Sequence, residues 1–236
     1  MNFSSTLKET YPYKTELHCH SAGASDCASI SAEQLVRLYA GAGYSGIVFT
    51  NHMHFGSIKN AKALRLEAER HIKEFEKAKA EGDKVGINVM LAAELRFGKS
   101  ENDYLFYGPD AEFYLNLDVK SIRSLEDFAK AYRAEDNLLV QAHPFRTGMT
   151  LAPLECIDGI EVYNLNIRHN SRVGIAAQYA EENSLISICG SDFHHIGDGQ
   201  FCGVCTRERP RDIKEIVKAI KENDVCWKLG ASTIVF

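Results

Sequence analysis

The chain has 236 residues, of which 45% are hydrophobic and 25% charged, a globular composition that excludes a disordered protein. Its formal net charge of −5, without a run of lysine or arginine, argues against duplex nucleic acid as a partner, because such binding needs a basic surface. No stretch approaches the roughly 20 apolar residues that span a bilayer, and Met1–Lys14 has no secretory pattern. We therefore expect a cytoplasmic protein with no membrane partner.

Seven cysteines, an odd number, argue against a disulfide framework. Cys156 and Cys189 lie beside or within apolar runs, where reduced, buried thiols are common. Cys202 and Cys205 have Cys-x-x-Cys spacing, but no second pair accompanies them, and they fall in the strand-like run Gln200–Thr206. Packing is therefore favoured over a redox or zinc role for this pair.

Short apolar runs alternate with helical patterns along the chain, which predicts a parallel sheet. The two long connections Leu95–Ala111 and Asn164–Ser171 are expected to be loops over the functional site. The predicted strands are Thr15–His20, Gly46–Thr50, Val85–Ala93, Glu112–Val119, Leu138–Ala142, Gly159–Tyr163 and Leu185–Cys189.

The predicted helices begin at polar residues that can cap them, as Ser31 and Gln34 do in a capping box. His71, in a charged helix, is expected to face solvent. The chain shows no linker or internal repeat, so one domain is predicted over residues 1–236, with a core at about 15–206 and a C-terminal helix and strand at 207–236. The helices are expected at Ser31 to about Ala42, Lys59–Glu81, Ser124 to about Glu135, Arg172–Glu182 and from Asp212 onward.

Metal-binding side chains follow five of the apolar runs. Residues i and i+2 of a strand share a face, so the two histidines of a His-x-His pair can reach one cation. Ligands at the carboxyl ends of several parallel strands are typical of the active-site face of a β/α barrel. The candidate ligands are His18, His20, His52, Glu94, His143, Asp192 and His194.

Each candidate ligand also has a structural alternative. Glu94 can pair with Arg96 or Lys99, and His143 can be a hydrogen-bonded core histidine. Candidates at five strand ends together are nevertheless difficult to explain without metal. Mixed imidazole and carboxylate donors suit zinc, iron or manganese, whereas calcium prefers an all-oxygen cluster.

The candidate segments also resemble, in order, the motifs of the polymerase and histidinol phosphatase (PHP) family. The resemblance implies an α/β fold, a distorted (β/α)7 TIM-like barrel of PHP type, with two or three divalent ions (Zn, Fe or Mn). It covers about residues 15–206. The matching segments are Glu16–Ser21 with Ser25-Asp26, Thr50–His52, Ala93-Glu94, Ala142–Pro144, Gly159–Asn164 and Gly190–His195.

The resemblance assigns a ligand set to each ion. His18, His20, Glu94 and Asp192 would hold the first ion. Glu94 would bridge to a second ion shared with His143. The third ion would be held by Asp26, His52 and His194.

Two positions depart from the family pattern. Asn51 stands where an aspartate usually precedes the histidine, so its hydrogen bonds to neighbouring ligands are expected to be weaker. The predicted strand Glu112–Val119 lacks the histidine that would bind the second ion. Asp118 could substitute for it, Lys120 could occupy its place, or the second ion could be weak or absent.

Four further residues are candidates for substrate chemistry. Arg146 and Arg168 can grip a phosphate, because a guanidinium donates two parallel hydrogen bonds. Arg146 could instead pair with Glu155 or Asp158. His54 and His195 adjoin ligand positions, where they could protonate a leaving oxygen or support a ligand.

The expected activity is hydrolysis of a small phosphomonoester, or of a nucleotide or oligonucleotide phosphoester, by metal-activated water. A small phosphorylated substrate is therefore the expected partner. An amidohydrolase-like hydrolase of C–N bonds is one alternative. A catalytically weakened barrel that acts as a metal-dependent binding or regulatory module is the other, motivated by the missing histidine near Asp118.

Overall fold

One large sheet carries the functional residues; the computed structural model describes residues 3–198, 201–230 and 232–234. Six of the seven predicted strands are confirmed to within a few residues. The strands of this described part are β1 (Tyr13–Cys19), β2 (Gly46–Phe49), β3 (His52–His54), β4 (Asn88–Arg96), β5 (Asp103–Tyr107), β6 (Leu138–Gln141), β7 (Gly159–Asn164), β8 (Ile186–Gly190), β9 (Cys202–Thr206), β10 (Cys226–Leu229) and β11 (Ser232–Ile234).

Helices surround this sheet, and the five predicted helices are confirmed. None of the described helices is both long and apolar enough to cross a membrane. Two short 3-10 turns lie at Phe55–Ser57 and Leu154–Cys156. The α-helices of the described residues are α1 (Phe3–Thr10), α2 (Ala32–Gly41), α3 (Ala61–Val85), α4 (Ala111–Leu115), α5 (Leu125–Tyr132), α6 (Val173–Glu182) and α7 (Ile213–Lys221).

The sheet curls into a nearly closed barrel. Its order is β11-β10-β9-β1-β2-β4-β5-β6-β7-β8, with β3 beside the end of β4. Strands β1, β2, β4, β6, β7 and β8 run in one direction, while β5 is antiparallel to both of its neighbours. The amide of Asp192 donates to the carbonyl of His18 (2.8 Å), and that of His20 to the carbonyl of Phe193 (2.9 Å). These bonds join the two barrel ends, so the predicted distorted α/β barrel is confirmed.

Side-chain caps and apolar faces determine where the helices start and dock. Ser31 and Gln34 form the expected capping box at the start of α2. The side chains of Ser124 and Asp212 accept hydrogen bonds from backbone amides at the starts of α5 and α7. Helices α3 to α6 pack against β4–β7, α7 covers the strands on another side, and α2 packs on β1 and β2. The cysteines are free, and Cys202 and Cys205 are both buried in β9, as expected from packing.

The prediction of a strand over Glu112–Val119 is wrong. Ala111–Leu115 forms α4 instead, because the side chain of Asp110 accepts the amide hydrogen of Phe113 and so starts a helix. The strand beside β4 is β5, which lies inside the connection Leu95–Ala111 that was predicted to be a loop. Aromatic residues occur in both segments, so composition alone did not distinguish them.

The prediction that His71 faces solvent is also wrong. His71 is buried, with Nε2 2.9 Å from the carbonyl oxygen of Ala92 on β4 and its ring 5.3 Å from the ring of Tyr114. Helix α4 covers the face of α3 that carries His71, so this histidine is buried although the helix is rich in charged residues. Burial lowers the pKa of His71 from its ordinary 6.5 to about 4.

This depressed pKa predicts a loss of stability in acid. His71 stays neutral in the folded protein, whereas in the unfolded chain it takes up a proton below pH 6.5. The free energy of unfolding is therefore highest above that pH and decreases as the pH falls towards 4. His71→Gln keeps a hydrogen-bond donor but does not titrate. Between pH 7 and pH 4.5, urea unfolding in EDTA should show the wild-type protein losing about 2 kcal/mol more than the variant. Equal losses in both proteins would contradict the buried neutral histidine.

Candidate metal centre

The candidate ligands meet at the carboxyl ends of the barrel strands, around a cavity of about 730 Å³. His18 lies in β1, His52 in β3 and Glu94 in β4, whereas His143 follows β6 and Asp192 follows β8. The parallel strands end at the same edge of the barrel, so residues far apart in sequence become neighbours. Of the eight ligands expected from the resemblance, Asp26 alone lies outside this cluster.

Donor atoms of His18, His20 and Asp192 lie close together at the end of β1, with the two oxygens of Glu94 beside the histidines. Nε2 of His18 and Nε2 of His20 lie 3.1 Å apart. Oδ1 of Asp192 lies 3.5 and 3.3 Å from these two nitrogens, and the oxygens of Glu94 lie 3.4 and 3.3 Å from them. Ligands held at about 2.0–2.1 Å around a tetrahedral zinc ion lie about 3.3 Å from one another. The spacing of these donors therefore fits a metal ion.

Glu94 links this group to two others. Its Oε1 lies 3.1 Å from Nε2 of His143, in a second group of possible ligands with His18. Its Oε2 is fully buried and lies 3.0 Å from Nδ1 of His52, yet neither atom has a hydrogen-bond partner among the described residues. Unpaired buried polar atoms are costly. A cation bridged by this carboxylate would satisfy both atoms.

A third group is formed by His20, His52 and His194. Each offers a nitrogen within 4.8 Å of the others, and the ring of His20 lies 4.4 Å from that of His52 and 4.2 Å from that of His194. Asp26, the remaining expected ligand, is 99% exposed and lies 3.7 Å from Arg70 on α3. The structure therefore directs its carboxylate away from this group. Cys27, the next residue, lines the cavity instead.

The charges of the cluster favour a bound cation. Burial raises the pKa of the carboxyl groups of Glu94 and Asp192, but the facing His18 and neighbouring cationic groups outweigh it and hold both pKa values well below the usual range. Burial likewise lowers the pKa of His18, but Glu161, Glu94 and Asp192 together raise it well above the ordinary value. The anionic groups thus require positive charge, which a divalent ion would supply.

Hydrogen bonds behind the ligands orient their rings, as is usual in metal sites. Nδ1 of His18 lies 2.8 Å from Oε1 of Glu161, while Oε2 of Glu161 accepts the amide hydrogen of His143. Nδ1 of His20 lies 3.2 Å from the hydroxyl of Ser25. These contacts leave Nε2 of each ring facing the oxygens of Glu94 and Asp192.

Two ligand positions hold strained backbone. His143 has φ of 32° and Asp192 has φ of 51°, in the left-handed region that non-glycine residues rarely occupy. Such strain is found at functional sites, where the surrounding structure fixes the conformation. Here the hydrogen bonds to Glu161 and to the carbonyl of His18 hold the two residues in place.

Asn51 stabilises the turn that carries other residues of the site. Its Oδ1 accepts hydrogen bonds from the amide of Ser21 (2.7 Å) and the hydroxyl of Ser25 (3.0 Å). Ser25 also accepts the amide hydrogen of His52. Asn51 therefore acts on His20 through Ser25. The second departure, near Asp118, lies outside the groups of possible ligands: Asp118 and Lys120 are exposed, and Oδ1 of Asp118 accepts the amide hydrogen of Lys120.

Both candidate phosphate-binding arginines line the cavity. Nη2 of Arg146 lies 2.5 Å from Oδ2 of Asp192 and 2.5 Å from Oδ1 of Asn164, and its Nε is buried without a partner among the described residues. The alternative pairing of Arg146 with Glu155 or Asp158 is wrong, because Arg146 binds Asp192 and Asn164, while Asp158 is paired with Arg133.

Arg168 lies in the loop that follows β7, which was expected to cover the site. Its Nη2 donates to Oδ2 of Asp198 at 2.7 Å, and the same oxygen accepts the amide hydrogens of His194 and His195. Arg168 is thereby fixed beside the candidate ligand His194, which lies in the loop that follows β8.

The two candidate proton donors lie in different surroundings. His195 lines the cavity, and its Nδ1 lies 2.7 Å from the hydroxyl of Ser29. His54 is exposed at the end of β3, beside His52 and Asp103. The part of its ring that is shielded from water, together with the neighbouring charge of His52, lowers the pKa of His54 to about 4.

Several residues that line or support the site were not predicted from the sequence. Glu161 lies in the matching segment Gly159–Asn164 but was assigned no role, although a carboxylate inside an apolar strand is a signal that could have marked it. Arg96, Asp103 and Asp198 had no such signal, since their roles depend on which strands and loops become neighbours. Glu94 does not pair with Arg96, because Arg96 binds Asp103.

No family model and no curated protein matches the chain. Several solved structures are similar to it. A two-domain protein from Bacteroides vulgatus ATCC 8482, containing a predicted PHP-like metal-dependent phosphoesterase, is 16% identical with a TM-score of 0.64. The match covers 92% of this chain, which spans 65% of the length of that protein.

Two further structures share the architecture. PsfC from Pseudomonas syringae PB-5123 is 18% identical with a TM-score of 0.56, over 82% of this chain and 81% of that one. An amidohydrolase from Chromobacterium violaceum, with bound sulfate and no metal, is 15% identical with a TM-score of 0.52, over 88% and 97% of the two chains. These similarities establish that the chain has a PHP-like barrel fold.

The placement of Glu94 and Asp26 predicts opposite effects on metal binding. Glu94→Gln removes the carboxylate that joins the three donor groups, so bound zinc or manganese should fall by at least one ion per chain. Asp26→Asn alters a solvent-exposed carboxylate and should leave the metal content unchanged. Elemental analysis of metal-loaded, desalted proteins measures both. A loss in Asp26→Asn equal to that in Glu94→Gln would contradict the arrangement.

Glu161 predicts a weaker effect that acts through orientation. Glu161→Gln keeps the size of the side chain but weakens its hold on His18 and His143, so metal affinity should fall by about 10–100-fold. Competition with a chelator measures this affinity. Glu182→Gln, at the C-terminal end of α6, is the matched control and should bind metal as the wild-type protein does. An unchanged affinity in Glu161→Gln would show that the carboxylate does not position the ligands.

Proposed function

We propose that the protein is a metal-dependent phosphoesterase. The observation that carries the proposal is the group of His18, His20 and Asp192, whose donor atoms have the mutual spacing of ligands around one ion, with Glu94 beside both histidines. Glu94 extends this group towards His143 and His52, so more than one ion can be held. Metal ions in such a site activate water and stabilise charge on the phosphoryl oxygens.

Guanidinium groups around the cavity support an anionic substrate. Arg96, Arg146 and Arg168 all line it. Nε of Arg146 is buried and unpaired among the described residues, while its Nη2 is fixed by Asp192 and Asn164. Because Nε is buried, a phosphoryl oxygen in the cavity would meet the terminal nitrogens of the Arg146 guanidinium. Arg146 therefore binds and orients the phosphoryl group next to the metal ligands.

His195 supplies the proton for the leaving oxygen in this proposal. When the hydroxyl of Ser29 donates to Nδ1 of His195, the ring carries its hydrogen on Nε2. His195 lines the cavity, so this hydrogen is available to a bound ester. His54 does not line the cavity, and we assign it no proton transfer.

The size of the cavity supports a substrate class. Its volume of about 730 Å³ admits a nucleotide-sized molecule. We therefore propose a small phosphomonoester, or the end of a nucleotide or oligonucleotide, as the substrate. The ions proposed are zinc, iron or manganese, because imidazole and carboxylate donors together suit these metals.

Hydrolysis of C–N bonds is the second candidate. It is favoured by the fold shared with the amidohydrolase from Chromobacterium violaceum. A neutral amide, however, would not use the three arginines that line the cavity. The phosphoesterase therefore remains the preferred function.

A substrate panel tests the proposal. Metal-loaded protein should hydrolyse at least one of a set of phosphomonoesters and nucleotides, and His143→Ala should lower both metal content and rate. Arg146→Lys should keep the metal but lower kcat/KM by about tenfold or more, since lysine cannot reproduce the planar fork. Arg37→Gln on α2, outside the cavity, should match the wild-type rate.

The contradicting outcomes are distinct from one another. Hydrolysis of amides but of no phosphoester would favour the second candidate. No hydrolysis of either class, with the metal content of His143→Ala unchanged, would contradict the proposed function.

A further inference from the structure

Arg96 is an unassigned cation at the mouth of the barrel. It lies two residues after Glu94 on β4, so both side chains emerge on the same face of the strand. Arg96 lines the same cavity as the metal-binding donors. Its side chain is 27% exposed, which leaves part of the guanidinium in contact with the cavity.

Asp103 fixes this guanidinium in place. The two residues are direct partners in the antiparallel pairing of β4 and β5. Nε and Nη2 of Arg96 donate to Oδ1 and Oδ2 of Asp103, each at 2.7 Å, and Asp103 is buried. A bidentate pair of this kind fixes both the position and the plane of the guanidinium.

The pair lies beside the residues expected to hold the second ion. Oδ2 of Asp103 is 4.0 Å from Nε2 of His143, which is itself 3.1 Å from Oε1 of Glu94. Asp103 also lies within ligand distance of His52 and His54. Both of its oxygens are already bound to Arg96, whose positive charge would repel a cation here.

One end of the guanidinium remains available. Nη1 of Arg96 lies 3.7 Å from Oε2 of Glu101, too far for a hydrogen bond, and Glu101 is 72% exposed. We propose that Arg96, fixed by Asp103, replaces a metal ion on the β4–β5 side of the site and binds a phosphoryl oxygen of the substrate through Nη1. This inference deepens the proposed phosphoesterase function and rests on it.

Two measurements that need no turnover test the inference. Metal-loaded wild-type protein, Arg96→Gln and Asp103→Asn are compared by elemental analysis for ions per chain. Binding of inorganic phosphate is then measured by calorimetry. Arg96→Gln should retain every ion and bind phosphate about tenfold more weakly, because one charge-assisted hydrogen bond is lost. Asp103→Asn should also retain every ion.

Matched variants keep the test decisive. Arg37→Gln removes the same charge outside the cavity and should bind phosphate as the wild-type protein does. If Arg96→Gln does not fold, Arg96→Lys keeps the charge and should still bind phosphate several-fold more weakly. Wild-type phosphate affinity in a folded Arg96 variant, or loss of an ion in Asp103→Asn, would overturn the inference. Because neither readout is a rate, both remain informative if no phosphoester is hydrolysed.

Discussion

The buried carboxylate of Glu94 is the constraint on which the rest of the site depends. It has no exposure to solvent, and removing a carboxylate from water is costly unless positive charge lies beside it. Its two oxygens lie 3.0–3.4 Å from nitrogens of four histidines, which come from three strands or their ends: His18, His20, His52 and His143. The strand register that brings these rings to one carboxylate therefore also creates a site for cations.

A second buried carboxylate connects barrel closure to ligand position. Glu16 accepts hydrogen bonds from the amides of His18 and Ser191 and from the hydroxyl of Tyr39. It thus ties the end of β1 to the end of β8, beside the bond from the amide of Asp192 to the carbonyl of His18. Burial raises the pKa of Glu16 to about 7, although these hydrogen bonds oppose the shift. The same contacts that close the barrel also position two of the ligands.

The features predictable from sequence were those with local causes. Apolar runs predicted six barrel strands, and polar caps predicted helices such as the one that begins after Ser31. The ends of the predicted strands indicated most of the candidate ligands. Features that depend on the tertiary arrangement were missed. The segments of β5 and α4 are both rich in aromatic residues, so the strand was predicted at α4 and β5 was predicted to be a loop. Asp26 turns to solvent, although its neighbour Cys27 lines the cavity. The pairing of Arg96 with Asp103 could not be inferred before β4 and β5 were known to be adjacent.

The most direct test of this account is anomalous diffraction from crystals of the protein loaded with zinc or manganese. The account predicts an ion within coordination distance of His18, His20, Glu94 and Asp192. It further predicts no ion bound to Asp103, whose oxygens remain on the guanidinium of Arg96. Absence of an anomalous peak among the four ligands in metal-saturated crystals would contradict the central claim that this barrel edge is a metal centre.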